Sequence, residues 1–119
     1  MENDSKRLKM MSNKELAMFC DQMAMILKAG QTPESGISLM LEDAASEEAV
    51  RILEPIAKMC DLGEPFHKAC EASGVFPKYA LNMIEIGNTS GKLDEVLESL
   101  ANHYNREKAV AQSIKSAVT

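Results

Sequence analysis

The sequence predicts an all-α fold, a six-helix bundle of antiparallel helical hairpins whose last helix is long. Three observations carry this. Apolar residues recur every three or four positions along most of the 119-residue chain, the period of a helix with one buried face. Aromatic and β-branched residues are too sparse for sheets, with no Trp, three Phe and two Tyr. Gly, Pro and hydroxyl residues fall between the periodic segments, where helices stop and restart.

Residues 1–11 are polar and charged and read as a mobile leader before a single domain over 12–119. Ser12 followed by Glu15 is a capping box, in which the two side chains satisfy each other's orphan N–H groups. Leu16, Phe19, Cys20, Met23, Ile26 and Leu27 form the apolar face of the first helix, and Gly30 supplies its stop. Thr32-Pro33 restarts the chain as cap and first-turn proline, turning Ile37, Met40, Leu41 and Ala44 inward. So short a connection predicts that helices one and two form an antiparallel hairpin. Ser46 caps helix three, whose buried face is Ala49, Ile52, Leu53, Ile56 and Cys60. Pro55 lies inside it and predicts a kink or break near Arg51 to Glu54, because proline removes a hydrogen bond and crowds the preceding turn.

Gly63 ends helix three, and Pro65 opens a short helix four with Phe66, Ala69 and Cys70 inward. Gly74 ends it. Helix five is expected from about Pro77 to about Asn88, with Ala80, Met83, Ile84 and Gly87 inward, and helix six from Ser90 or Gly91, capped by Ser90 or Thr89. Leu93, Leu97, Leu100 and Tyr104 continue one apolar face, which thins to Ala111, Ile114 and Val118. Arg106, Lys108 and Lys115 outnumber Glu107 there, the bias of a cytoplasmic segment leading into a membrane helix. The last helix is therefore expected to project toward a membrane segment that the chain, ending at Thr119, does not contain.

The net charge of −5 is concentrated in residues 42–71, where Glu42, Asp43, Glu47, Glu48, Glu54, Asp61, Glu64 and Glu71 face only Arg51, Lys58 and Lys68. No basic stripe is present, which argues against nucleic acid as a partner and makes the acidic segment the candidate partner surface. Cys20, Cys60 and Cys70 are odd in number, form no Cys-x-x-Cys pair and follow no signal peptide, so free thiols in a reducing setting are expected. No run approaches the roughly 18 to 20 apolar residues of a membrane span, so the chain itself is expected to be soluble.

Catalytic and metal chemistry find little support. Ser90 between Gly87 and Gly91 lacks the strand that a nucleophile elbow requires. The same Gly-Asn-Thr-Ser-Gly lacks the Lys of a phosphate loop. His67, Cys70 and Cys60 do not have the paired spacing of a zinc site, and small buried thiols account for the cysteines. His103 and Glu107, one turn apart, read as surface residues. No cofactor is expected. A divalent cation would need carboxylates assembled between helices or chains, since no calcium loop is present.

Two motifs carry a resemblance. Phe19-Cys20-Asp21-Gln22-Met23-Ala24-Met25-Ile26-Leu27-Lys28-Ala29-Gly30 is similar to Phe-x-Arg-Gln-Leu-Ala-x-Leu-Leu-x-Ala-Gly. Phe76-Pro77 followed by Gly87-Asn88-Thr89-Ser90-Gly91-Lys92-Leu93 is similar to Phe-Pro, about nine residues, then Gly-Glu-x-Ser-Gly-x-Leu. In both, and over almost all of the chain from Ser12, the sequence resembles the cytoplasmic domain of the protein F family of type II secretion systems and type IV pili. Their members belong to the inner-membrane assembly platform.

The resemblance implies a six-helix bundle, most like the first of two cytoplasmic domains in a larger membrane protein. It implies a non-enzymatic scaffold on the cytoplasmic face of the inner membrane that couples an assembly ATPase and other platform proteins to pilin or pseudopilin assembly. Self-association as a homodimer is a further expectation. Asp21 stands where the family usually has Arg, and Asn88 where it usually has Glu, so the two changed positions are expected to be neighbours. The alternative reading is a freestanding helical regulator that sequesters a cytosolic protein through a Met-rich face.

Overall fold

The computed structural model describes residues 9–118, and the side chains of residues 9–110. Among the described residues the chain is all-α, with six helices and no strand: α1 (Asn13–Lys28), α2 (Pro33–Glu42), α3 (Glu47–Asp61), α4 (Phe66–Ser73), α5 (Lys78–Ser90) and α6 (Leu93–Val118). Each of the first three starts on a hydroxyl cap. The Glu15 N–H donates to Ser12 Oγ at 3.1 Å while the Ser12 N–H donates to Glu15 Oε1 at 2.8 Å, closing the capping box. Thr32 Oγ1 accepts from the Ser35 N–H, and Ser46 Oγ from the Ala49 N–H, both at 3.1 Å.

The largest helix pairing joins the two ends of the sequence, with α1 lying along α6. Lys28 Nζ and Glu98 Oε1 tie this pair at the surface at 2.7 Å. The path between them is a chain of neighbours, α2 on α3, α3 on α4, α4 on α5 and α5 on α6, and α1 meets α2 over a shorter stretch. Inside, Leu16, Met23, Ile37, Ile56, Phe66, Ile84, Leu97 and Leu100 are all but sealed from solvent. Every helix thus contributes to one core. At about 1.5–3 kcal/mol for each large side chain removed from water, that core is the main source of stability.

The structure departs from expectation in three places. α3 runs unbroken through Pro55 from Glu47 to Asp61. Arg51, whose carbonyl loses its helical partner to the proline, is exposed, so water can take the place of the missing N–H. α5 begins after Pro77, which is its N-cap residue, and extends to Ser90, with Gly91 in the left-handed conformation (φ 75°) as its stop. Neither Thr89 nor Ser90 caps α6. Their hydroxyls point back along α5, Thr89 Oγ1 donating to the Glu85 carbonyl at 2.9 Å and Ser90 Oγ to the Gly87 carbonyl at 3.4 Å.

Met11 is the third departure. The leader reading placed it outside the domain, but it is buried and its N–H donates to the Val75 carbonyl at 3.0 Å, closing the loop between α4 and α5. Residues 1–8 of the leader, and the side chains of Ala111, Ile114, Lys115 and Val118, lie outside the described residues. No helix among the described residues is long and apolar enough to cross a membrane.

Candidate functional site

The motif residues build the fold. The Phe19 ring from α1 meets the Phe76 ring before α5 edge-on, with centroids 5.2 Å apart at 72°, so the two motifs lock together in the core. Gly30 (φ 94°) turns the chain out of α1. Gly87 is buried where α5 crosses the start of α6; a Cβ there would stand 2.8 Å from Val96 Cγ2 and 3.1 Å from Leu93 Cα. Only a residue without a side chain lets the two backbones approach so closely.

Asn88 acts on a third helix. Its Oδ1 accepts the backbone N–H of His67, in the first turn of α4, at 3.0 Å, and lies 3.0 Å from His67 Nδ1. Pro65, the N-cap residue of α4, offers no side-chain acceptor, so Asn88 supplies the cap from 21 residues away. No direct hydrogen bond joins Asp21 to Asn88 among the described residues; the Asn88 carboxamide oxygen is engaged with His67 instead. Asp21 and Gln22 are exposed on α1.

Cys20, Cys60 and Cys70 are free and buried. Burial pushes the Cys20 thiol up to about 12 and the Cys70 thiol well above its usual value, and also raises Cys60. These are poor nucleophiles and poor ligands at neutral pH. Among the described residues no three His, Cys, Asp or Glu side chains gather as a metal site. His103 is half-buried between Tyr79 and Tyr104, with ring centroids 4.9 and 4.8 Å away.

All eight acids of residues 42–71 are exposed, in several settings. Glu54 and Asp61 share a polar depression on α3 with Arg51 and Lys58. Glu47 and Glu71 lie 3.9 Å from Arg51 and Lys68 on their own helices, at the weak end of ion pairing. Asp43 and Glu48 instead flank an open groove of about 620 Å³ between α1, α2 and α3.

That groove is what the sequence reading missed. Its floor is formed by Phe19, Ile26, Ile52 and Leu53, and its walls carry Met18, Met25 and Leu39, which remain 55 %, 64 % and 44 % exposed. The signal was present in α1: Glu15, Met18, Gln22 and Met25 recur at helical spacing on a second face, beside the one that enters the core. Four of the nine methionines line the groove.

Comparisons with known proteins point to one family. The family model described as type II secretion system (T2SS), protein F, matches residues 19–119. Among curated proteins, the type II secretion system protein F of Xanthomonas campestris pv. campestris is 27% identical over 98% of this chain and 31% of its own length. The type IV pilus assembly protein PilC of Thermus thermophilus is 29% identical over 89% of this chain and 26% of its own length. The protein transport protein HofC homolog of Escherichia coli K12 is 34% identical over 82% of this chain and 24% of its own length. The chain thus spans between a quarter and a third of the length of these relatives. The match over residues 19–119, most of the chain, places it in the type II secretion system protein F family.

Proposed function

We propose that this chain is a scaffold domain of the inner-membrane assembly platform of a type II secretion system or type IV pilus. It lies on the cytoplasmic face of the membrane and couples the assembly ATPase to the movement of pseudopilin or pilin subunits. The carrying observation is the family match over residues 19–119. Relatives named for type II secretion, pilus assembly and protein transport support the same reading. In this reading membrane attachment is through a segment outside this chain.

The role is mechanical and non-enzymatic. The cysteines are buried and protonated, Ser90 is spent on its own helix, and the motif glycines and phenylalanines serve packing. What the domain offers to other molecules is its exposed surface, with more acids than bases along α3 and an apolar groove between α1, α2 and α3. Deleting the gene in the parent organism tests the reading. Loss of surface fibres or of secretion, restored by a plasmid copy, is the expected result; unchanged fibres and secretion contradict it.

A further inference from the structure

The groove between α1, α2 and α3 has a composition that selects its occupant. Its lining contains three acids, Glu15, Asp43 and Glu48, and no Lys or Arg. Between them the surface is thioether and aliphatic. From Glu15 to Ile26 it follows α1 over 12 residues, a rise of about 17 Å at 1.5 Å per step, or about three helical turns. Its volume of about 620 Å³ is that of a binding site rather than of a packing fault.

We infer that this groove is a docking site for a basic amphipathic helix of another polypeptide. An extended peptide is disfavoured, since the described residues offer no sheet edge to which it could add as a strand. A helix of about three turns lays apolar side chains at i, i+3, i+4 and i+7 along such a floor. Its Lys and Arg residues, on the flanks of that apolar stripe, meet Glu15 on one side and Asp43 and Glu48 on the other. The exposed Met18 and Met25 adapt to the side chains presented, because an unbranched thioether repacks at little cost. The inference rests on reading the domain as a binding scaffold and names the kind of partner that one of its surfaces takes.

The test uses the 119-residue chain labelled with ¹³C at the methionine methyl groups. The probe is an 18-residue helical peptide with Leu on one face and Lys on the other. A scrambled peptide of the same composition and a Leu/Glu version serve as comparisons. The Leu/Lys peptide is expected to bind and to move the methyl signals of Met18, Met25 and Met40, leaving those of Met59 and Met83 in place. The scrambled and Leu/Glu peptides are expected not to bind.

Met25→Lys and Glu48→Lys should each weaken binding at least about tenfold, the equivalent of 1.4 kcal/mol. Leu62→Lys and Glu54→Lys, outside the groove, should leave it within about twofold. Both groove positions are exposed, so the variants are expected to keep the wild-type circular dichroism.

Equal weakening by Leu62→Lys, binding of the scrambled peptide, or movement only of Met59 or Met83 would overturn the inference. Movement of Met18 and Met25 with protein concentration alone would assign the groove to a second copy. Movement on Lys6→Glu and Arg7→Glu without peptide would assign it to the chain's own first residues; either result also overturns the inference. The assay contains no secretion or pilus component, so its failure leaves the platform reading to its own genetic test.

Discussion

Asn88 on α5 caps α4 through His67: one carboxamide oxygen accepts the His67 N–H at 3.0 Å and lies 3.0 Å from His67 Nδ1, a pairing that calls for the Nδ1–H tautomer. The helix it serves begins at a proline that cannot cap it. Asn88→Ala should therefore lower stability by about 1 kcal/mol, the usual cost of losing an N-cap acceptor. Asn88→Asp keeps the acceptor and adds a negative charge at the positive end of α4, which should raise the urea midpoint at low salt and less so at high salt. Equal midpoints for Asn88→Ala and wild type would show that the bond contributes nothing.

Two buried glycines separate packing from helix propensity. Replacing Gly by Ala inside a helix normally gains about 1 kcal/mol. At Gly36 the new methyl would meet the far end of the flexible Met23, Sδ at 3.0 Å and Cε at 3.1 Å, which can yield, and Ile26 Cγ2 at 3.2 Å, a methyl on a stiffer side chain that need give only a few tenths of an ångström. At Gly87 it would meet the branch point of Val96 at 2.9 Å and the Leu93 backbone at 3.1 Å, which cannot. Thermal unfolding should show Gly36→Ala near or above wild type and Gly87→Ala below it, since overpacking costs about 1–3 kcal/mol.

Phe19→Ala should cost about 3–5 kcal/mol, the range for removing a buried phenylalanine. The ring is 4 % exposed and stands edge-on to Phe76, so its loss leaves a cavity where the two motifs meet. Chemical denaturation measures this directly. A loss under 1 kcal/mol would mean that the core refills around the site.

The thiols make stability depend on alkaline pH. Cys20, at about 12, and Cys70 are raised above the ordinary thiol value by burial. A group raised on folding contributes stability that is fully present below its unfolded value, about 8.5 for Cys, and is lost as pH rises toward the folded one. Their contribution should be constant below about pH 8 and decline above it. Cys20→Ala combined with Cys70→Ala should flatten that decline, though at a cost in packing. In native protein at neutral pH a thiol reagent should spare Cys20 and Cys70, and all three cysteines should react once the chain unfolds.

Much of the fold was legible because local signals agreed with the tertiary result. Ser12-x-x-Glu15, Thr32-Pro33 and Ser46 mark helix starts by their own hydrogen-bonding chemistry, and every residue named inward on α4 is buried. Pro55 does not break α3, because the carbonyl it frees belongs to exposed Arg51, where water can meet it. The roles of Asn88 and Met11 were illegible for another reason. Each acts on a partner far away in sequence, His67 and Val75, and no local pattern announces such a contact. The groove was half legible, since the second face of α1 was there to be counted, but its closure by α2 and α3 depends on how those helices pack.

We propose that the exposed acids of residues 42–71 are where this domain meets the assembly ATPase of its platform. The most direct test is calorimetric titration of the 119-residue chain with that ATPase at low salt. Wild type is compared with a variant carrying Asp43→Lys, Glu48→Lys, Glu54→Lys and Asp61→Lys. A measurable affinity is expected, falling at least about tenfold in the variant, an effect of 1.4 kcal/mol or more, with the helical spectrum unchanged. Equal affinity for the two proteins would contradict it.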